Sequence, residues 1–171
     1  MENNKEFDKD KFNSLYQEVF NEVSNEFEFK ESVNKFRKTQ FNYLSNLDKF
    51  FHTKCPKEFE WIEKNSTFVN GQMKPKENVD NKEFDIKVNE LNNCIMKNDK
   101  GLTSSVADFE KEFMDFNENI NKEIKECLKL KNDNDMKICI KDKLIKNSHN
   151  LIGMFNKYEI IFDNLNKAIK L

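Results

Sequence analysis

From Leu102 to Leu130 the apolar side chains return at alternating steps of four and three: Leu102, Val106, Phe109, Phe113, Phe116, Ile120, Cys127 and Leu130 share one phase. Glu123 is the single interruption, and Ile124 beside it restores the stripe. The last segment repeats the rhythm through Leu144, Ser148, Leu151, Phe155, Tyr158, Phe162, Leu165 and Ile169. Such a pattern fits only a helix, and it lays a continuous apolar stripe along one side that must be covered by other helices. The chain is therefore expected to be all-α: an elongated bundle of long antiparallel amphipathic helices with coiled-coil-like seams and one long loop. Phe at so many seam positions favours a broad bundle core over a slim two-stranded zipper.

The rest of the chain agrees. Gly71, Gly101 and both Pro fall where helices should stop. Phe12, Leu15, Tyr16, Val19, Phe20, Val23 and Phe27 make a first stripe, and Phe29, Val33, Phe36, Tyr43, Leu44, Leu47, Phe50 and Phe51 a second. The two are out of phase around "EFEFKES", which predicts a break near residues 28 to 32 with Ser32 as the cap of the second helix. Pro56 suits the first turn of a short helix. Gly101 suits the left-handed residue that closes another. The expected helices cover 7–28, 32–53, 56–64, 81–99, 104–131 and 135–170, with a loop over 65–80, in a single helical domain of 171 residues.

The stretch "CLKLKNDNDMKIC" raises a structural question. Were the helix continuous, Cys139 would lie about 18 Å along and about 120° around from Cys127, too far to bond. Four consecutive Asn/Asp residues favour turns and caps instead. A reversal at Asp133, with Asp135 capping the last helix, brings Cys127 and Cys139 to the same level. A small β-hairpin would do the same, because "LKLK" and "MKICIK" alternate with period two. Equal level permits a disulfide without requiring one, so the first reading is reduced cysteines packed as small hydrophobes. The second is a Cys127–Cys139 bridge, with Cys55–Cys94 as its natural companion.

Charge is balanced, 29 basic against 31 acidic residues with a pI near 5.8, so the general electrostatic case for nucleic-acid binding is missing. No apolar run approaches the length of a membrane span. The polar start "MENNKEFDKD" resembles neither a secretory nor a matrix-targeting leader, so the expected address is intracellular, cytoplasmic by default, or the mitochondrial intermembrane space if the cysteines are oxidised. Chemistry is thin. No phosphate loop or nucleophile elbow occurs, and neither His52 nor His149 has Glu three residues before it, as a helical di-metal site requires. No cofactor and no metal are expected, and the chain reads as a non-enzyme.

Two surface features suggest partner binding. Glu18, Glu22 and Glu26 line one helix edge at repulsive spacing that a basic partner would relieve. Trp61, beside Phe59 and Ile62, packs under the loop or anchors an interface. The function expected first is a non-catalytic helical scaffold that binds other protein subunits, alone or as part of a larger assembly. Next come an oxidatively folded helical-hairpin accessory protein of the intermembrane space, and a carrier holding a small apolar ligand in a Phe-lined cavity.

Overall fold

The computed structural model describes residues 9–169. Six helices make up most of it: α1 (Lys9–Ser24), α2 (Phe27–Lys54), α3 (Pro56–Asn65), α4 (Asn81–Asp99), α5 (Ser104–Cys127) and α6 (Asp133–Ile169). A two-stranded hairpin, β1 (Ser66–Val69) and β2 (Gln72–Pro75), lies between α3 and α4. The fold is all-α. The chain divides into two compact units: the described residues up to Gln40 with Ala107–Ile161, and Phe41–Val106 with the described residues from Phe162 onward.

The first unit is built on α6. Cys127, Glu123 and Glu112 of α5 meet Cys139, Lys143 and Lys157 of α6 in reverse order, so these helices are antiparallel. Residues 128–132 make the turn, as the Asn/Asp run predicts, and the helical hairpin displaces the β-hairpin and continuous-helix readings. Its cap is Asn132, whose side chain accepts from the Asn134 N–H at 2.8 Å, and not Asp135. The helix before it ends at Cys127 instead of continuing to 131. On the other side of α6, Lys11 pairs with Asp133, Glu18 with Lys137 and Glu22 with Lys141, all in the same order, so α1 runs parallel to α6. The first part of α2 continues along it through Ser32–Asn156 and Lys35–Glu159. Val19, Val23, Ile124, Cys127, Ile140 and Leu144 form the core beneath.

The break between α1 and α2 falls at residues 25–26, earlier than the expected 28–32. The N–H groups of Asn25 and Glu26 turn back to the carbonyls of Glu22 and Val23, closing α1 with tight three-residue bonds. The Lys30 N–H then bonds the Glu26 carbonyl and starts α2. Ser32 therefore lies inside a helix and caps nothing; its hydroxyl donates to Asn156 Oδ1 at 3.4 Å.

In the second unit α3 and α4 are joined by the Cys55–Cys94 bridge over a core of Cys55, Ile62, Phe84 and Leu91. Asp80 caps α4, its carboxylate accepting from the N–H groups of Lys82 at 2.9 Å and Glu83 at 3.1 Å. Lys100 and Gly101, with φ of 44° and 85°, close it in the left-handed region. The expected loop over 65–80 contains the hairpin instead. Asn70 and Gly71 form its two-residue turn with φ of 52° and 75°, as a turn matching the strand twist requires. Tyr43 stacks on Phe162 with centroids 5.1 Å apart, and its hydroxyl donates to the Leu102 carbonyl. Burial, and then Asp99, push the Tyr43 phenol up to about 12.

Candidate functional site: an aromatic cavity in the first unit

The stripes that identify α5 and α6 from sequence do not close completely on one another. They wall a cavity of about 510 Å³, within the roughly 300–1,000 Å³ of ordinary small-molecule sites. α5 contributes Phe109, Phe113, Phe116 and Ile120; α6 contributes Leu144, Leu151 and Phe155; α1 contributes Tyr16, Phe20 and Val23; α2 contributes Phe29, Val33 and Phe36. Composition accounts for the opening. The chain has seventeen Phe but two Ala, and flat rings without small residues between them leave space that interdigitated cores fill. Phe36, 3% exposed, forms the floor between Phe109 and Phe155, with both centroids at 4.8 Å. Phe20, 42% exposed, and Arg37 stand at the rim, so the cavity runs from core to solvent.

Its polar groups fall into two sets. Asn147 and Ser148, both buried, spend their hydrogens on their own surroundings: the Asn147 amide donates to the Lys143 carbonyl at 2.8 Å and to Glu123 at 3.4 Å, and the Ser148 hydroxyl to the Ile145 carbonyl at 2.7 Å. Burial pushes the Tyr16 phenol up, so it stays neutral. Toward the rim stand Arg37 and Gln40, one turn apart on α2, with Asn117 and Asn121 on α5. No Asp, Glu or Lys lines the cavity, which makes Arg37 its one charged lining residue among the described residues.

The residues singled out by sequence lie elsewhere. Cys127 and Cys139 have their sulfurs at disulfide distance, 2.12 Å, with Cα atoms 5.7 Å apart; Cys55 and Cys94 are at 2.05 Å and 6.0 Å. The structure thus joins both pairs of the second reading, and no cysteine is left as a free core thiol. Glu18 and Glu22, read as a surface for a basic partner, are engaged by Lys137 and Lys141 of α6. The hydrogen bond to Lys141 holds the Glu22 carboxyl below the usual carboxylate range. Glu26 remains exposed at the break, with only its backbone bonded to Lys30. Trp61 is half-buried against the core of the second unit, its ring centroid 6.3 Å from Phe84.

Sequence reasoning foresaw a Phe-lined cavity in general terms but not Arg37. The signal was present: Arg37 is the only arginine in a chain with 29 basic residues. Among the described residues, no helix is long and apolar enough to cross a membrane. Compared with protein-family models, curated proteins and solved structures, the chain matches none.

Proposed function

We propose that this chain is a non-catalytic, disulfide-bonded helical protein that binds a small apolar ligand in the cavity of its first unit. The cavity carries the reading: about 510 Å³ walled by seven phenylalanines, Phe20, Phe29, Phe36, Phe109, Phe113, Phe116 and Phe155. At about 30 Å³ for each non-hydrogen group, the share of one water in the liquid, that volume suits a ligand of about seventeen such groups. Two paired cysteine bridges support residence in an oxidising compartment. The test is titration with a neutral solvatochromic dye of matching size such as Prodan. Saturable binding that Phe113→Trp, which narrows the cavity, weakens without unfolding the protein supports the reading. No saturable binding at micromolar protein removes it.

A second reading, a subunit that binds other proteins, is favoured by the hairpin. Phe68 and Met73 face each other across β1 and β2 and are 72% and 47% exposed, an apolar pair with no cover among the described residues. Sedimentation of the wild type beside a Phe68→Ser/Met73→Ser variant tests it. Self-association lost in the variant supports this reading, and a monomer in both cases withdraws the hairpin's support for a self-associating subunit.

A further inference from the structure

Resting on the ligand-binding reading above, we infer that the occupant of the aromatic cavity is an amphipathic anion: a linear apolar body of about a dozen or more carbons ending in a two-oxygen anionic head, held at the rim by Arg37. Three observations converge. First, all twenty lining residues except Arg37 are uncharged, in a chain where more than a third of residues carry charge. A buried apolar body with a single cation at its mouth matches a ligand of the same polarity.

Second, Arg37 is uncommitted. Among the described residues, every ion pair of the first unit is made by a lysine, including Lys35 with Glu159, Lys137 with Glu18, Lys141 with Glu22 and Lys157 with Glu112. Arg37 makes no ion pair or hydrogen bond among the described residues, and neither does the Gln40 side chain one turn further on. Third, α2 has no acidic residue from Ser32 to Leu47, while Lys35, Arg37 and Lys38 lie in that stretch. No carboxylate in that stretch of its own helix competes for the guanidinium.

The choice of arginine carries its own chemistry. A lysine is a hydrated point charge on a flexible stem, whereas a guanidinium presents a planar fork that meets two oxygens of a carboxylate or phosphate together. It is also weakly hydrated and tolerates an aromatic neighbour, as a rim of Phe requires. Gln40 adds an amide donor on the same edge of the helix. The shared ligand chemistry is a two-oxygen anion on an alkyl chain, and both a long-chain carboxylate and an alkyl phosphate satisfy it.

The experiment is displacement of bound Prodan from the full-length, oxidised protein by tetradecanoate, tetradecyl phosphate and tetradecanol, each below its aggregation threshold. Wild type, Arg37→Gln and Arg37→Lys are compared. One charge-assisted fork at an exposed rim is worth about tenfold in affinity, so at least one anion should displace the dye about ten times more tightly than the alcohol. Arg37→Gln should bring the tighter anion to within about threefold of the alcohol, and Arg37→Lys should recover only part of the gap. Preference for the carboxylate or for the phosphate identifies the head. Equal displacement by anions and alcohol in the wild type overturns the inference while the apolar-ligand reading stands. An anion preference that survives in Arg37→Gln also overturns it. Absence of dye binding altogether removes both.

Discussion

Opening the Cys55–Cys94 bridge is expected to loosen its part of the chain more than opening Cys127–Cys139 does. The bridges close loops of very different size, with sequence separations of 39 and 12. In the chain-entropy description, a cross-link removes freedom from the unfolded chain in proportion to the logarithm of that separation. Those separations give about 3.9 and about 2.8 kcal/mol at 25 °C. Packing does not reorder them, because each bridge has one fully buried sulfur-bearing residue, Cys55 or Cys127, and one partly exposed partner. Hydrogen exchange read by mass spectrometry resolves the two regions separately. At about 1.4 kcal/mol per tenfold, the best-protected amides of α4 in Cys55→Ala/Cys94→Ala should exchange about 700 times faster than in the oxidised protein. Those of α5 and the start of α6 in Cys127→Ala/Cys139→Ala should exchange about 100 times faster. Reductant acting on the wild type should reproduce both changes together. The reasoning is refuted if reductant leaves both regions unchanged, or if the shorter loop shows the larger loss.

Three smaller perturbations are also informative. Phe36→Ala removes a ring in contact with Phe109 and Phe155 and should destabilise the first unit by about 3–5 kcal/mol in urea unfolding; a loss below about 1 kcal/mol would show that the floor of the cavity is not packed. Asp80→Ala should cost about 1 kcal/mol and Asp80→Ser much less, read as the urea midpoint of the second unit, because only the former strands the N–H groups of Lys82 and Glu83. The imidazole of His52 is raised above its ordinary value, first by its bond to the Asp48 carbonyl at 2.9 Å and then by Glu63 at 3.0 Å. Its contribution to stability is therefore full below about pH 6.5 and fades as pH rises through the folded value. The wild type should thus lose stability relative to His52→Gln as pH rises from about 6.5 through the folded value. An NMR titration placing His52 at or below its ordinary value would contradict this.

Periodicity made the long helices legible because burial of one face is what the pattern encodes. The bounds of α4 coincide with the expected 81–99, where Asp80 and Gly101 supply strong local signals at both ends. The α1–α2 break was misplaced because no glycine or proline marks it; ordinary residues close the helix with backbone bonds at Asn25 and Glu26. The hairpin was legible and was missed: Asn70–Gly71 is the strongest short turn signal in the chain, but four-residue strands offer too little alternation to stand out. The pairing of Cys127 with Cys139 followed from the turn, although bond formation could not be read from level alone. The cavity was harder. A stripe records which side of a helix is covered, not how closely the cover fits, and Arg37 acquires meaning only once its neighbours are known to be phenylalanines.

The hydrogens of Asn147 and Ser148 turn toward the Lys143 and Ile145 carbonyls and the Glu123 carboxylate, not into the cavity. These two residues therefore have no donors left to read a pattern of acceptors, and along the phenylalanine wall selection would rest on bulk. Each methylene is worth about 0.8 kcal/mol, so homologues differing by one carbon would be separated by only about fourfold. On the proposed ligand-binding reading, such a protein would rank its guests gradually instead of choosing one, and its cargo at any moment would follow whichever chain length is most abundant around it.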